Sequence, residues 1–335
     1  MEQNKSTNQY ENMQQSANMT EAVNIIQPAN MTEAANIIQP ANMTKPARKR
    51  RMSGRKKRKM ALEMFLGLLL ALVVLAPVAW MFLSSIMLPV DLTAKPLKLI
   101  PDTITLDRYR QIFQSTTTSD PAYVFRVALK NSFIIAAAVT ILSLIIGTLS
   151  AYAFAHVRFR GKNTLMLMIL FTYMLPPAAL IIPLYRIYNK MGWLDKRAPL
   201  VILYLSFIIP FIIWVMQDFF GSISKSFEEA AQVDGATRLQ TLLYIFLPIA
   251  RPGAIATGIL AFLMSWDEFF YALIFTSSLT SKTMPIAIEE FNGKFTIDYG
   301  MISVAGILGS LIPVLITVIF QKYIVMGMTA GGVKE

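Results

Sequence analysis

Long apolar stretches alternate with short polar segments over most of this sequence. Four blocks, residues 131–156, 163–185, 198–217 and 299–321, contain no aspartate, glutamate, lysine or arginine. Each block reaches or exceeds the roughly 18 to 20 residues that a helix needs to cross a hydrocarbon core about 30 Å thick. A soluble domain could not bury so many such segments in one core. The pattern therefore predicts an all-α integral membrane protein.

Six membrane-spanning helices account for the apolar pattern. We predict them at about 63–88, 129–156, 163–186, 198–219, 253–276 and 299–324. Prolines inside these segments remove a backbone hydrogen bond and tend to kink a helix. They include Pro77, Pro176, Pro177, Pro210 and Pro313. Kinked spans suit a transporter that opens and closes, although static bundles contain them as well.

The basic residues predict which side of the membrane each loop faces. Ten of the 31 lysines and arginines lie within residues 45–59, and no acid occurs between Glu33 and Glu63. Because this run directly precedes an apolar span, we interpret it as a cytoplasmic anchor on anionic membrane lipid rather than a nucleic-acid patch. Both termini are then cytoplasmic. The 157–162 and 220–252 loops also lie inside, and the 89–128, 187–197 and 277–298 segments lie outside.

Residues 1–60 differ in character from the rest of the chain. A unit of twelve residues recurs from Asn18, Asn30 and Asn42, and its first two copies each contain a proline. A proline in each copy prevents one continuous helix, and so few copies cannot form a solenoid. We expect 1–60 to be a disordered tail that ends in the basic run, with a partner-docking segment as the alternative. We expect residues 61–335 to form the six-span domain, with the first span retained rather than cleaved as a signal peptide.

Several classes of chemistry are excluded or weakened by the residues present. The chain has no cysteine and one histidine, His156, so we expect neither a disulfide nor a multi-histidine metal site. We interpret His156 as an interfacial residue because it ends an apolar segment beside Arg158 and Arg160. No G-x-x-x-x-G-K-[ST] phosphate loop is present, so this chain is not expected to hydrolyse ATP.

The loop between the fourth and fifth spans predicts two short helices joined at a glycine. Ser226 and Glu229 have the spacing of an S-x-x-E capping box, and Thr237 and Gln240 have that of T-x-x-Q. Gly235 supplies the left-handed conformation that ends the first helix. The second helix is expected to carry an apolar face, formed by Leu239, Leu242, Leu243 and Phe246. Such a hairpin is either a rigid projection that transmits motion or a membrane-surface element without a partner.

The same loop resembles the EAA loop of bacterial ATP-binding-cassette importer permeases. The match consists of Glu229-Ala230-Ala231, then Gly235 six residues after Glu229, then Ile245-x-Leu247-Pro248. Asp234 also matches the common centre of that loop. Other segments are similar to the maltose-type sugar permeases, among them Leu175-Pro176-Pro177 and the C-terminal residues 327–334. The resemblance covers the chain from about residue 61 to its end.

The resemblance implies a fold, a partner set and two groups of site residues. The fold is the importer permease bundle of the methionine-importer type, with a cytoplasmic coupling helix in residues 222–252 that seats in a groove of an ATPase subunit. The expected coupling residues are Glu229, Ala230, Ala231, Asp234, Gly235 and Pro248, and Gly331 and Lys334 are expected to contact the ATPase near the C-terminus. The implied partners are a second permease, two ATPase copies that bind ATP and Mg²⁺, and an extracytoplasmic sugar-binding protein.

A short polar and aromatic cluster in the predicted fifth span is the candidate substrate pathway. It comprises Trp266, Asp267, Glu268 and Tyr271, and its two acids are the only ones well inside a predicted span. Intramembrane acids usually face a cavity or a partner, and aromatic rings stack on sugars. The family often has asparagine where this chain has Asp267. A cluster at the outer membrane interface is the alternative.

We therefore interpret the chain as the permease of a sugar or oligosaccharide importer in a bacterial cytoplasmic membrane. A polyol, a glycerol-phosphate or an acidic oligosaccharide remains an alternative cargo. A solitary ion-coupled carrier is a different class, and it would need ionisable groups near the membrane midplane. A membrane enzyme would need a catalytic cluster that the sequence lacks.

Overall fold

The computed structural model describes residues 54–332 except 97, 102 and 294–296. This part of the chain is almost entirely helical, and its extended pairing is limited to two isolated bridges, Met87 with Ile104 and Asn292 with Ile297. In chain order the helices are α1 (Gly54–Ile86), α2 (Pro89–Leu92), α3 (Asp107–Gln114), α4 (Pro121–His156), α5 (Lys162–Met174), α6 (Pro177–Lys190), α7 (Arg197–Gly221), α8 (Ser226–Val233), α9 (Arg238–Thr241), a π-helical turn (Leu242–Phe246), α10 (Leu247–Ile249), α11 (Arg251–Trp266), α12 (Phe270–Phe275), α13 (Met284–Glu289) and α14 (Tyr299–Gly332).

Four helices in the described residues are long and apolar enough to cross a membrane alone. They are Arg58–Ile86, Pro121–His156, Arg197–Gly221 and Tyr299–Gly327. Two bent pairs qualify when each is counted as one span: Lys162–Met174 with Pro177–Lys190, and Arg238–Ile249 with Arg251–Trp266. This arrangement confirms the all-α membrane fold.

The third predicted span is sharply bent at its proline pair, where the sequence predicted a kink. α5 and α6 meet at an angle of 91° across Leu175 and Pro176. Both residues have extended backbone conformations, as expected because each is followed by a proline. Pro177 occupies the first turn of α6, where its missing N–H costs nothing. The proline pair therefore ends one helix and begins the next.

The second span begins eight residues earlier than predicted. α4 starts at Pro121, and the Asp120 side chain caps it by accepting a hydrogen bond of 2.9 Å from the Ala122 N–H. Arg126 lies in the first two turns of α4. Its guanidinium donates to the carbonyls of Ile112, Phe113 and Ser115, and so caps the last turn of α3. The free carbonyls at the C-terminal end of α3 thus stabilise the positive charge of Arg126.

The fifth predicted span is interrupted, and the prediction of one helix over 253–276 is wrong. α11 ends at Trp266, and α12 begins only at Phe270. Asp267 is the C-terminal cap of α11, and both Asp267 and Glu268 lie in the break between the helices. The two acids therefore do not occupy the interior of a continuous helix.

Contacts divide the chain into two units, residues Met1–Ala71 and Leu72–Glu335. In the first unit, the structure describes a helix from Gly54 onward with an exposed Lys59–Glu63 ion pair at 3.9 Å. Residues 54–60 are thus helical, although the sequence assigned them to the tail. The twelve-residue repeats and the basic residues up to Arg51 lie outside the described residues.

The second unit is built around the close crossing of α4 and α7. Gly147 of α4 faces Ile212 of α7, and a β-carbon at Gly147 would lie 2.8 Å from the Ile212 β-carbon. Real side chains do not approach so closely, so glycine permits this crossing. The crossing lies in a core that includes residues of α6 and α12. The same core contains Leu242 and Phe246 from the segment 222–252, which we call the coupling loop after the resemblance described above. The coupling loop is therefore continuous with the transmembrane core.

Candidate coupling site and substrate pathway

The first helix of the coupling loop begins one residue earlier than its sequence pattern indicated. Lys225 is the N-cap of α8 and makes no side-chain cap, so Ser226 is the first helical residue. The Ser226 hydroxyl bonds the Ser224 hydroxyl at 2.9 Å, and the Ser224 oxygen accepts from the Ser226 N–H at 3.3 Å. The predicted Ser226–Glu229 capping box is therefore wrong. Glu228 and Glu229 lie in the first turn, where negative charge complements the helix dipole.

Gly235 ends α8 in the predicted left-handed conformation. Its φ is +78°, its N–H donates to the Gln232 carbonyl at 3.1 Å, and the Ala236 N–H donates to the Ala231 carbonyl at 2.9 Å. This pair of hydrogen bonds is a Schellman motif, which fixes the exit direction of the chain. A β-carbon at Gly235 would meet no atom within 4 Å, so only the backbone conformation requires glycine.

The second half of the loop begins with the predicted capping box. The Gln240 N–H donates to the Thr237 hydroxyl at 3.4 Å, and the Thr237 N–H donates to the Gln240 side chain at 2.8 Å. A π-helical turn over Leu242–Phe246 then breaks the 3.6-residue periodicity. The predicted apolar face is consequently only half right. Leu242 and Phe246 are buried, whereas Leu239 and Leu243 are exposed.

Five of the predicted coupling residues lie in α8 or its glycine turn, and Pro248 lies in α10. Ala231 is buried, while Glu229, Ala230, Asp234, Gly235 and Pro248 are exposed. Val233 and Tyr244 are also exposed, by 88% and 76%. An exposed apolar and acidic projection with a rigid base is the form expected of a docking element. Gly331 lies near the end of α14, and Lys334 lies outside the described residues.

His156 ends α4, as predicted, but its side chain is buried in the protein. Its side chain is 2% exposed and packs against the rings of Tyr152 and Phe246, with centroids 5.5 and 4.3 Å away. Its Nε2 lies 2.9 Å from the Phe220 carbonyl oxygen, and its Nδ1 lies 3.2 Å from the Glu228 carboxylate. The sequence offered one unused signal, the four-residue spacing of Tyr152 and His156 on one helix face.

The four substrate-pathway residues do not share one surface. Trp266 is 1% exposed and stacks on Phe262, and Tyr271 is 6% exposed and stacks on Phe207. In this conformation neither ring face is open to a ligand, which corrects the expectation that both rings stack on a sugar.

The two acids of this cluster differ in exposure and in their contacts. Glu268 caps α12 by accepting hydrogen bonds from the Tyr271 and Ala272 N–H groups at 2.8 and 3.1 Å. Asp267 is exposed, whereas Glu268 is partly buried. Asp267 is therefore the member of the cluster whose side chain is open to a ligand.

Asp195 joins two segments that were predicted to face outside, and sequence reasoning missed it. Its carboxylate accepts hydrogen bonds from the Ser277 and Ser278 N–H groups, each at 2.8 Å, and from the Ser281 hydroxyl. Burial by itself would raise the pKa of Asp195, but these hydrogen bonds outweigh it and hold the pKa well below its ordinary value. Asn131 of α4 contacts the same 276–283 loop by donating to the Leu279 and Lys282 carbonyls.

Within the described residues, no cluster of three or more histidine or carboxylate side chains has the arrangement of a metal site.

Comparisons with known proteins agree with this arrangement. The sequence profile of the family described as "Binding-protein-dependent transport system inner membrane component" matches residues 143–329, more than half of the chain. The trehalose/maltose transport system permease protein MalG of Thermococcus litoralis is 33% identical over 269 residues, which cover 80% of this chain and 94% of MalG. The trehalose transport system permease protein SugB of Mycobacterium tuberculosis is 36% identical over 263 residues, covering 78% and 92%.

A solved structure extends the similarity to three dimensions. A chain of a bacterial ABC transporter that imports the acidic polysaccharide alginate superposes with a TM-score of 0.66 at 26% identity, covering 81% of this chain and 98% of that chain. The family model's residues 143–329 contain the whole coupling loop. The chain belongs to the binding-protein-dependent transport system inner membrane components, the permease subunits of ATP-binding-cassette importers.

Proposed function

We propose that this chain is the translocating subunit of a sugar or oligosaccharide importer whose coupling loop is moved by a separate ATPase. The observation that carries the proposal is the form of that loop. α8 ends in a Schellman turn at Gly235, a capping box at Thr237 follows at once, and Leu242 and Phe246 are buried in the transmembrane core. The loop therefore has a rigid turn and an anchor in the core. Such a projection can transmit a push, because close-packed interiors resist deformation.

The ATPase contacts the exposed side of this projection. Glu229 and Asp234 supply charge there, and Val233 and Tyr244 supply apolar area. Gly331 and Lys334 are proposed as a second contact near the C-terminus. The loop and both termini are cytoplasmic in this proposal, which is supported by the basic residues that precede the first span. Two ATPase copies bind ATP and Mg²⁺, a second permease completes the pathway, and an external binding protein delivers the substrate.

A carbohydrate cargo is supported by the relatives. Two of them are named as trehalose or trehalose/maltose permeases, and the alginate importer handles an acidic polysaccharide. We propose that Asp267 is the residue of the candidate pathway that meets substrate, because it is exposed while Trp266 and Tyr271 are buried. A carboxylate accepts hydrogen bonds from sugar hydroxyls. An acidic cargo would be repelled at this position, so a neutral sugar is the first candidate.

Purification and transport together test the proposal. Isolation in mild detergent should yield this chain with an ATPase and a second permease. Proteoliposomes that contain this complex and its binding protein should accumulate labelled trehalose or maltose only when ATP is supplied. Asp267→Asn should raise the substrate concentration needed for half-maximal uptake, while Asp107→Asn, at an exposed acid in α3, should not. Uptake by the chain alone without ATP would refute the ATPase-driven mechanism.

A further inference from the structure

Among the described helices that could cross a membrane alone, α4 is the one without a proline in its interior. It runs without a break from Pro121 to His156. The other three contain Pro77, Pro210 and Pro313 in their interiors, and the two remaining spans are bent pairs. Because an interior proline removes a backbone hydrogen bond and kinks a helix, α4 is the stiffest connection between the two ends of the bundle.

The coupling loop contacts the C-terminal end of α4 through aromatic rings. The centroid of the Phe246 ring lies 5.4 Å from that of Tyr152 and 4.3 Å from that of His156. All three side chains are buried. Because close-packed interiors have low compressibility, a displacement of the coupling loop is expected to reach α4 through these contacts.

The other half of α4 holds the loop between α12 and α13. The Asn131 side-chain amide donates to the Leu279 and Lys282 carbonyls at 3.0 and 2.9 Å. The hydroxyl of the next residue, Ser132, accepts from the Met284 N–H at 2.7 Å, where α13 begins. Asn131 and Ser132 are each 3% exposed, so water does not compete for these hydrogen bonds. The loop is therefore attached directly to α4.

The same loop leads back to the candidate substrate pathway. It directly follows α12, whose first turn is capped by the Glu268 carboxylate, and Asp267 immediately precedes that acid. A shift of the loop therefore displaces α12 and the break that contains Asp267. Asn131 lies about 38 Å from His156 along α4, at 1.5 Å per residue. One continuous helix thus connects the coupling loop with the residue proposed to meet substrate.

We propose that Asn131 is a positioning residue that makes the loop between α12 and α13 follow α4 when the coupling loop is displaced. This inference rests on the proposed function and adds the route by which ATPase-driven movement reaches the substrate pathway. Asp195 holds the same loop to the α6–α7 connection, so the loop keeps its fold when the Asn131 contacts are lost. The route through α7 does not replace α4, because Pro210 interrupts α7 between its two ends.

Asn131→Asp tests this role with almost no change in side-chain size. The new carboxylate cannot donate to the Leu279 and Lys282 carbonyls, so the attachment is lost. In the reconstituted complex with its binding protein, substrate imported per ATP hydrolysed should fall about fivefold, as expected when shielded hydrogen bonds are lost. This ratio does not depend on the fraction of protein that is folded, so a purely structural defect leaves it unchanged. Ser132→Ala removes a single link and should lower the ratio less.

Two matched substitutions serve as controls. Asn189→Asp makes the same chemical change at an exposed position of α6. Ser150→Ala removes a hydroxyl that bonds the Ile146 carbonyl of α4 itself. Both variants should retain the wild-type ratio of import to hydrolysis.

Spin labels at the two ends of the bundle locate the defect. The chain has no cysteine, so Thr280→Cys provides a label site in the loop, and Ser222→Cys provides one directly after α7, at the coupling-loop end. Both positions are exposed. In a complex whose other subunits lack cysteine, ATP should change the mobility of both labels in the wild-type background. In the Asn131→Asp background, the label at position 222 should still respond, and the label at position 280 should not.

The outcomes separate this inference from the proposed function. Unchanged import per ATP in Asn131→Asp, or a wild-type response of the label at position 280, would overturn the role of Asn131. Loss of the response at both positions would also overturn it, because the defect would then not lie between the two ends of α4. Absence of ATP-dependent uptake by the wild-type complex would overturn the proposed function instead.

Discussion

Replacement of Gly235 by alanine tests whether the coupling loop needs the left-handed backbone conformation of its turn. Gly235 has a φ of +78°, and an added β-carbon would meet no neighbour within 4 Å. The substitution therefore introduces no clash, and its cost is the penalty of holding an L-residue in the left-handed region, about 1–2 kcal/mol. That penalty lowers the equilibrium constant for the Schellman conformation roughly 5- to 30-fold.

The expected result is uncoupling rather than loss of the protein. The turn lies outside the transmembrane core, so Gly235→Ala should be inserted and purified in normal amounts. Uptake in proteoliposomes should fall several-fold, while ATP hydrolysis by the complex becomes less dependent on substrate. The assay records both rates on the same preparation. If the protein is stable but its ratio of uptake to ATP hydrolysis has changed, the substitution has weakened the coupling between hydrolysis and transport.

A matched control is provided by Gly161, which precedes α5. Its φ is +79°, and a β-carbon there would also meet nothing within 4 Å. Gly161→Ala carries the same backbone penalty on the side of the membrane predicted to be cytoplasmic, but away from the coupling loop. It should leave the ratio of uptake to hydrolysis unchanged. Equal effects of the two substitutions, or wild-type uptake by Gly235→Ala, would refute the argument that this turn transmits force.

Three further substitutions test the local physics of the structure. Thr237→Ala removes the capping box at a cost of about 1 kcal/mol, and in the same transport assay it should reduce coupling less than the Gly235 substitution does. Gly147→Ala should lower the unfolding temperature in detergent through overpacking of about 1–3 kcal/mol against α7, whereas Gly67→Ala, which has open space around it, should not. Asp195→Asn should cost about 1–2 kcal/mol at neutral pH. Because the folded-state pKa of Asp195 is depressed, its contribution is complete above the ordinary value of about 3.9, and the difference from wild type should close as pH falls below about 4.

The features that were predictable from sequence are those set by local interactions. The Schellman turn at Gly235 and the capping box at Thr237 each involve residues within five positions of one another, so the pattern specified them. The apolar blocks located the spans because a membrane core requires continuous apolar length. The capping box at Ser226 failed for an equally local reason, since Ser224 offered a competing hydroxyl two residues earlier.

The features that sequence reasoning missed depend on contacts between distant residues. Glu228 and His156 belong to different helices, and nothing in either local pattern pairs them. Asp195 accepts from Ser281, 86 positions away. Glu268 is nearer its partners, but its capping role became visible only because α11 stops at Trp266. Periodicity predicts a helix through this segment and carries no information about a break that two acids occupy.

The position of Phe246 explains why the coupling loop is suited to moving two helices together. Its ring lies 5.4 Å from Tyr152 of α4 and 6.3 Å from Phe220 of α7, and none of the three side chains is more than 5% exposed. Interiors packed in this way have low compressibility, so a displacement of Phe246 cannot be absorbed between the rings. We expect the displacement to pass instead to the ends of α4 and α7, whose helices are in close contact at Gly147. We therefore expect a push on the exposed side of the loop to move this helix pair as one body, which is the motion that the proposed ATPase-driven mechanism requires.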